Sequence, residues 1–167
     1  SYADVVHRYG TDRPDLRNPL FLVDVAAYCK DLSFNVLAEP ARDPLSRVVA
    51  MRVPGGASMT RKQIDDYTKW IAQFGAKGLA YIKVNGPSLE ELQSPIIKFM
   101  GDAALRVIDA VDAHPGDLVF FGAGPKDTVN ASLSSLRDRL GHDLNLLESK
   151  WAALWVVDFP MFEYNEE

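Results

Sequence analysis

Four short strand-like runs, each set between turn or helix-capping signals, are the strongest constraint on what this chain can become. Phe34, Val36 and Ala38 alternate as a first strand, the period-2 pattern of a half-buried sheet face. Residues 48–53 (VVAMRV) form a second, closed by Pro54, Gly55 and Gly56. Residues 79–84 (LAYIKV) form a third, ahead of Asn85, Gly86 and Pro87, and residues 118–121 (LVFF) a fourth, after His114, Pro115 and Gly116. Strands this short are not stable alone and must share a sheet that something covers.

Helices supply the cover. Thr60 with Gln63 three residues on forms a capping box and opens the clearest helix, with Ile64, Tyr67, Trp70, Ile71 and Phe74 on one face and Gly75 at its end. Asp24 caps a short helix over residues 25–32. Ser94 and Pro95 start a helical stretch that Gly101 interrupts, and Asp102 caps the next, with Leu105, Ile108 and Val111 to one side. Asp127 or Thr128 caps a last helix carrying Val129, Leu133, Leu136 and Leu140, closed by Gly141. The order β-β-α-β-(α)-β-α predicts an α+β fold, a two-layer α/β sandwich with helices over one face of an antiparallel or mixed sheet. A doubly wound parallel sheet is the alternative. Trp70, Phe74, Tyr81 and Phe120 are expected in one core.

The ends read differently. Residues 1–19 are polar, hold no helix or strand period, and are expected to be loop-rich. Residues 151–162 are apolar and aromatic, stopped by Pro160, and are expected to form a buried strand before an acidic tail at 163–167. The start at Ser1 rather than Met suggests an excised piece.

With 167 residues, 47% of them hydrophobic and 25% charged, the chain is one globular domain plus short attachments. A net charge of −5 argues against a dominant basic surface and leaves room only for a local basic patch. The single cysteine, Cys29, excludes an internal disulfide and any multi-cysteine zinc site, and its apolar neighbours suit inert packing. No apolar run approaches the ~20 residues of a membrane span, and no signal-peptide core is present. The expectation is a soluble, cytoplasmic protein.

Catalytic groups are scarce. His7, His114 and His142 are far apart in sequence and have no ligand partner at helical spacing, so no metal site is expected. Gly122, Gly124 and Lys126 follow a strand and precede a helix, but Asp127 replaces the third glycine of a dinucleotide fingerprint and no P-loop exists. That stretch reads as a strand-to-helix turn. Asp65 with Asp66 and Glu90 with Glu91 lie on solvent faces near helix starts. Ser132, Ser134 and Ser135 lack a nucleophile elbow. No catalytic residue is assigned. Arg61, Lys62 and Lys69 fall on the exposed side of the best helix, Arg52 and Lys83 on flanking strands, and Lys77 in the turn after that helix. They read either as a polyanion-facing patch or as an ordinary solvated face.

Four motifs carry a resemblance: residues 8–17 (RYGTDRPDLR), 52–61 (RVPGGASMTR), 75–81 (GAKGLAY) and 155–162 (WVVDFPMF). Together they resemble bacterial-type aspartyl-tRNA synthetase, a class II enzyme. The resemblance implies the GAD-type insertion domain over residues 20–150, with catalytic-domain stubs at 1–19 and 151–167. It implies a two-layer α/β sandwich and an accessory role near the tRNA acceptor arm, with Arg52, Arg61, Lys62, Lys69 and Lys77 as phosphate contacts. The parent would activate aspartate with ATP and Mg²⁺, esterify it to aspartate tRNA, and work as a homodimer away from membranes. Whether it also charges asparagine tRNA is left open. The family's catalytic and metal-dependent positions match no residue of this chain, so the piece alone is expected to be inactive and to need no cofactor. An insertion must leave and re-enter its host at nearby points, so residues 17–21 and 151–155 should lie within about 15 Å, a few strand spacings.

Overall fold

The computed structural model describes residues 1–148 and 150–162. The elements run α1 (Tyr2–Tyr9), β1 (Val23–Asp24), α2 (Ala26–Cys29), α3 (Asn35–Arg42), β2 (Ser46–Val53), α4 (Arg61–Ala72), β3 (Ala80–Val84), β4 (Leu92–Gln93), α5 (Ile97–Met100), α6 (Asp102–Ala110), β5 (Leu118–Pro125) and α7 (Lys126–Asp143). The five strands form one sheet in the order β1-β2-β5-β3-β4, with every neighbouring pair antiparallel. The last long strand is thus inserted between the two that precede it.

This is the α+β class expected from the sequence, with the sheet antiparallel throughout, but helices cover both of its faces where one was expected. Alternation along the strands splits the core in two. Val49, Met51, Val53, Leu118 and Phe120 pack with Ile64 and Ile71 of α4 and with Leu133, Leu136 and Leu140 of α7. Val48, Ala50, Ile82, Val119 and Phe121 pack with Cys29, Leu37, Ala104 and Val107 on the opposite face. The short helices α2, α3, α5 and α6 therefore cover the second face as well, which is why β2 is apolar at odd and even positions alike. Cys29 is fully buried there, and burial, with Asp24 adding to it, pushes its thiol up to about 11; it is an inert packing group.

The capping box at α4 forms as read: the Gln63 backbone N–H donates to Thr60 Oγ1 and the Thr60 N–H to Gln63 Oε1. Gly55 takes φ 70° in the turn after β2, a left-handed conformation that explains glycine there.

Several expectations are corrected. Residues 34–38 are not a strand: Phe34 is the N-cap of α3 and the helix covers 35–38, burying Leu37 and Ala38 on one face while Val36 stays exposed. Adjacent buried positions suit one face of a helix, and a strand would send them to opposite sides. The helix over 25–32 shrinks to α2, where the Ala26 N–H donates to Asp24 Oδ1. The glycines at 122 and 124 lie in β5, which runs to Pro125 before α7 begins at Lys126. A Cβ on Gly122 would stand 2.6 Å from Leu133 Cδ2, so glycine is required there for close approach of α7 to the sheet. Phe120 is buried, but Trp70 and Tyr81 are only half-buried and Phe74 is exposed in the turn after α4.

The ends invert their reading. Residues 2–9 are helix α1, with a Ser1–Asp4 capping box and Gly10 closing it at φ 72°. Its segment is tied down by buried guanidinium groups. Arg137, 1% exposed, donates to the carbonyls of Leu20 (2.6 Å), Asn18 (2.7 Å) and Asp15 (2.8 Å), and it lies over the Tyr9 ring. Arg47 donates to the His7 carbonyl and to Asn130 Oδ1. Residues 151–162 make no strand ladder, and Trp155 is 94% exposed. The acidic tail at 163–167 lies outside the described residues. The two ends nonetheless approach one another: the Glu148 N–H donates to the Arg17 carbonyl and the Tyr2 N–H to the Val157 carbonyl. Three residues span at most about 11 Å, which keeps Trp151 close to Arg17.

Candidate nucleic-acid interface

Helix α4 presents most of the basic positions. Its apolar face, Ile64 and Ile71, is buried against the sheet, so helical geometry turns Arg61, Lys62 and Lys69 outward, and all three are exposed. Lys77 is exposed in the loop between α4 and β3. Asp65 and Asp66 are exposed on the same helix, three and four residues from Lys69, within reach of it on the helix surface. The face is therefore mixed in charge rather than uniformly basic.

Arg52 has a different role. Its Nε donates to Asp117 Oδ2 at 2.7 Å and its Nη1 stands 3.6 Å from Asp112. Asp117 also accepts the backbone N–H groups of Gly55 and His114. Burial alone would raise this carboxyl, but those two N–H groups and Arg52 hold it below the usual carboxylate range. Arg52 thus pins the turn after β2 to the start of β5, and it is not a free phosphate contact. Lys83 is likewise engaged, donating to the Met59 carbonyl.

One exposed cation escaped the sequence reading. Arg139 of α7 lies 4.4 Å over the Trp70 ring and donates to Asp143, which also accepts the Tyr67 hydroxyl. Burial, and then Asp143, pushes that hydroxyl up to about 12. Trp70 Nε1 donates to Ser135 Oγ. These contacts clamp α4 onto α7 and hold the helix that carries Arg61, Lys62 and Lys69. The signal available in sequence was the i, i+4 spacing of Arg139 and Asp143.

The remaining candidates stay apart. His114 stands 3.6 Å from Asp112, and no group of three or more His, Cys, Asp or Glu side chains among the described residues forms a metal-ligand set. The Ser132 hydroxyl bonds back to its own helix at Thr128. No helix among the described residues is long and apolar enough to cross a membrane.

A comparison with protein families matches residues 38–133 to the GAD domain. The match takes in α4, α6, the three long strands and the first half of α7. This chain belongs to the GAD domain family. GAD domains are insertion domains of class II aminoacyl-tRNA synthetases, so tRNA and a synthetase body are the family's general partners. Within the GAD domain, Arg61, Lys62, Lys69 and Lys77 fall inside the matched residues, whereas α1 and the exposed aromatic run at 151–162 fall outside it.

Proposed function

We propose that this chain is the insertion domain of an aspartate–tRNA ligase, an accessory unit facing the tRNA acceptor arm. In this reading residues 20–150 are the insertion, and 1–19 and 151–167 belong to the catalytic body. The single observation that supports the tRNA-facing role is the exposed placement of Arg61, Lys62, Lys69 and Lys77 on one helix and its following loop. The four motifs quoted above support the aspartate assignment. ATP- and Mg²⁺-dependent activation of aspartate, like the homodimer, is a property of the whole enzyme, and no residue of this chain is assigned to it. Phosphate contacts by such side chains position RNA without reading its sequence. A handful of them in a chain of net charge −5 gives weak affinity, micromolar or worse, so the rest of the enzyme must hold the same tRNA.

A second reading, a structural insertion without RNA contact, is favoured by Asp65 and Asp66 among the cations and by the commitment of Arg52 to Asp117. The test belongs in the whole enzyme. Arg61→Ala with Lys62→Ala should raise the KM for tRNA about three- to tenfold while leaving aspartate activation by ATP unchanged. Unaltered tRNA kinetics with the fold intact would decide for the structural reading.

A further inference from the structure

Strand β5 outruns its neighbour. On one side it pairs with β2 along its whole length, from Val53 opposite Leu118 to Ser46 opposite Pro125. On the other side β3 pairs only from Lys83 opposite Leu118 to Ala80 opposite Phe121. In an antiparallel ladder each residue sends its N–H and C=O to the same side, and successive residues alternate. Two hydrogen bonds fix the phase. The Lys126 N–H donates to the Leu45 carbonyl on the β2 side, and the Val84 N–H of β3 donates to the Asp117 carbonyl. Even-numbered residues of β5 therefore face β2 and odd-numbered ones face β3. Ala123 is the next odd residue after Phe121, and the place opposite it belongs to Gly78, which lies outside β3. The backbone N–H and C=O of a half-buried residue are left without a ladder partner, an arrangement that costs free energy unless something supplies one.

What opens in front of Ala123 is a cleft of about 840 Å³. Val36, Leu37 and Pro40 of α3 wall one side, and Val129 and Leu133 of α7 the other, so the cleft runs between the two apolar layers where a continuing β3 would stand. The rims differ in charge. Glu39 and Asp43 line the cleft on the α3 side and Lys77 lines it from the loop before β3. The Ser46 hydroxyl and Leu45 N–H, with Lys126 nearby, keep the Asp43 carboxyl low and ionised, which leaves Glu39 the acidic group without an ion-pair partner among the described residues.

We propose that this cleft is a strand-addition site: it takes an extended segment of a partner protein beside residues 122–125, apolar on both faces and basic where it passes Glu39 and Asp43. The free backbone groups of Ala123 supply the register, the apolar walls the burial, and the charged rims the direction. A stretch of four residues, about 13 Å, fills the vacancy. The proposal does not depend on the tRNA reading.

Amide exchange and titration on the isotope-labelled chain test it. In the free chain the Ala123 amide should exchange fast while that of Phe121 is protected. The probe is a pool of blocked hexapeptides of Val, Ile and Leu with one Lys near an end, at about 1 mM, the weak-binding range. It should shift the resonances of Ala123, Gly124 and Leu79 and slow Ala123 exchange at least about tenfold. The same peptides N-methylated on alternate backbone nitrogens should do neither. Ala123→Pro removes the cleft-facing N–H and no ladder bond, so it should keep the remaining spectrum and lose the response. An Ala123 amide already protected in the free chain would overturn the proposal. So would a pool without effect, N-methylated peptides acting equally well, or a single-stranded oligoribonucleotide producing the shifts where the peptides do not.

Discussion

Residues 1–22 and residues 150–162 are opposites in composition and opposites in fate, but not in the direction composition suggests. The first segment is rich in Arg, Asp and Pro, and it is built into the domain. The second is Trp, Leu, Val, Phe and Met, and it lies along the surface with Trp151 and Trp155 exposed. Hydrogen-bond accounting explains the difference. A loop can be buried only if its carbonyls find donors, and Arg137 and Arg47 supply donors to Asp15, Asn18, Leu20 and His7. Asn18 returns the favour by donating to the Arg137 carbonyl. The aromatic run has side chains suited to burial but no strand ladder for its backbone. In the proposed enzyme the catalytic body would cover that apolar surface, as contiguous exposed apolar patches usually imply.

The sharpest way to break this comparison is Arg137→Ala. It leaves the carbonyls of Asp15, Asn18 and Leu20 without their charged donor, each such bond being worth about 1.5–3 kcal/mol. Allowing for non-additivity, the expected loss is about 3–5 kcal/mol, read from the urea midpoint of the whole chain. Arg137→Lys should recover little of it, since an ammonium cannot serve three carbonyls in the plane of a guanidinium. A loss below about 1 kcal/mol would mean that the first segment only rests on the domain.

Acid should loosen the molecule next. The Arg17 side chain bonded to Asp15 lowers that carboxyl from 3.8 to about 2, and Asp117 is lowered as well. A carboxyl held below its unfolded value adds stability that is fully present above that value. The contribution is lost as pH falls through the folded one. Stability should therefore be flat above about pH 5 and fall between about pH 4 and pH 2. Asp15→Asn should flatten the lower part of that fall, and Asp117→Asn should cost about 1–3 kcal/mol at neutral pH by weakening the hold on Arg52 and two backbone N–H groups. A denaturation series from pH 7 to pH 2, unchanged in slope by Asp15→Asn, would remove that pair from the account.

What was legible in the sequence was local. The Thr60–Gln63 cap, the strand at 48–53 and the interruption at Gly101 all rest on contacts within a few residues, and each forms. The exposure of Arg61, Lys62 and Lys69 followed from helical period alone. Phe34, Val36 and Ala38 misled because three alternating apolar residues also fit a helix whose buried positions, Leu37 and Ala38, are adjacent. Helix α1 was missed because none of its residues is buried and its cap uses Asp4 in place of the usual Glu or Gln. Contacts across the chain were beyond reach: the partner of Arg52 is 65 residues away, and that of Arg137 at Leu20 is 117. A period read in one window carries no information about either. The second covered face of the sheet was hidden for the same reason: α2 and α5 have four residues each, and the helical period of α6 does not say which face of the sheet it covers.

The smallest expected effect sharpens the same comparison from the other end. Trp155→Ser removes one of the two largest side chains of the aromatic run, yet at 94% exposure that side chain buries almost no surface within this chain. Hydrophobic stabilisation scales with area removed from water, so the urea midpoint should move by no more than about 0.5 kcal/mol. Solubility should rise, because an exposed apolar segment of high β-propensity is an aggregation hazard. In the whole synthetase the same substitution should behave differently: if the catalytic body covers Trp155, burial of an aromatic side chain is worth about 3–5 kcal/mol on truncation, and the enzyme should lose stability or its docking of the GAD domain. Equal, small effects in both settings would place Trp155 on an open surface and remove residues 151–162 from the proposed join with the catalytic body.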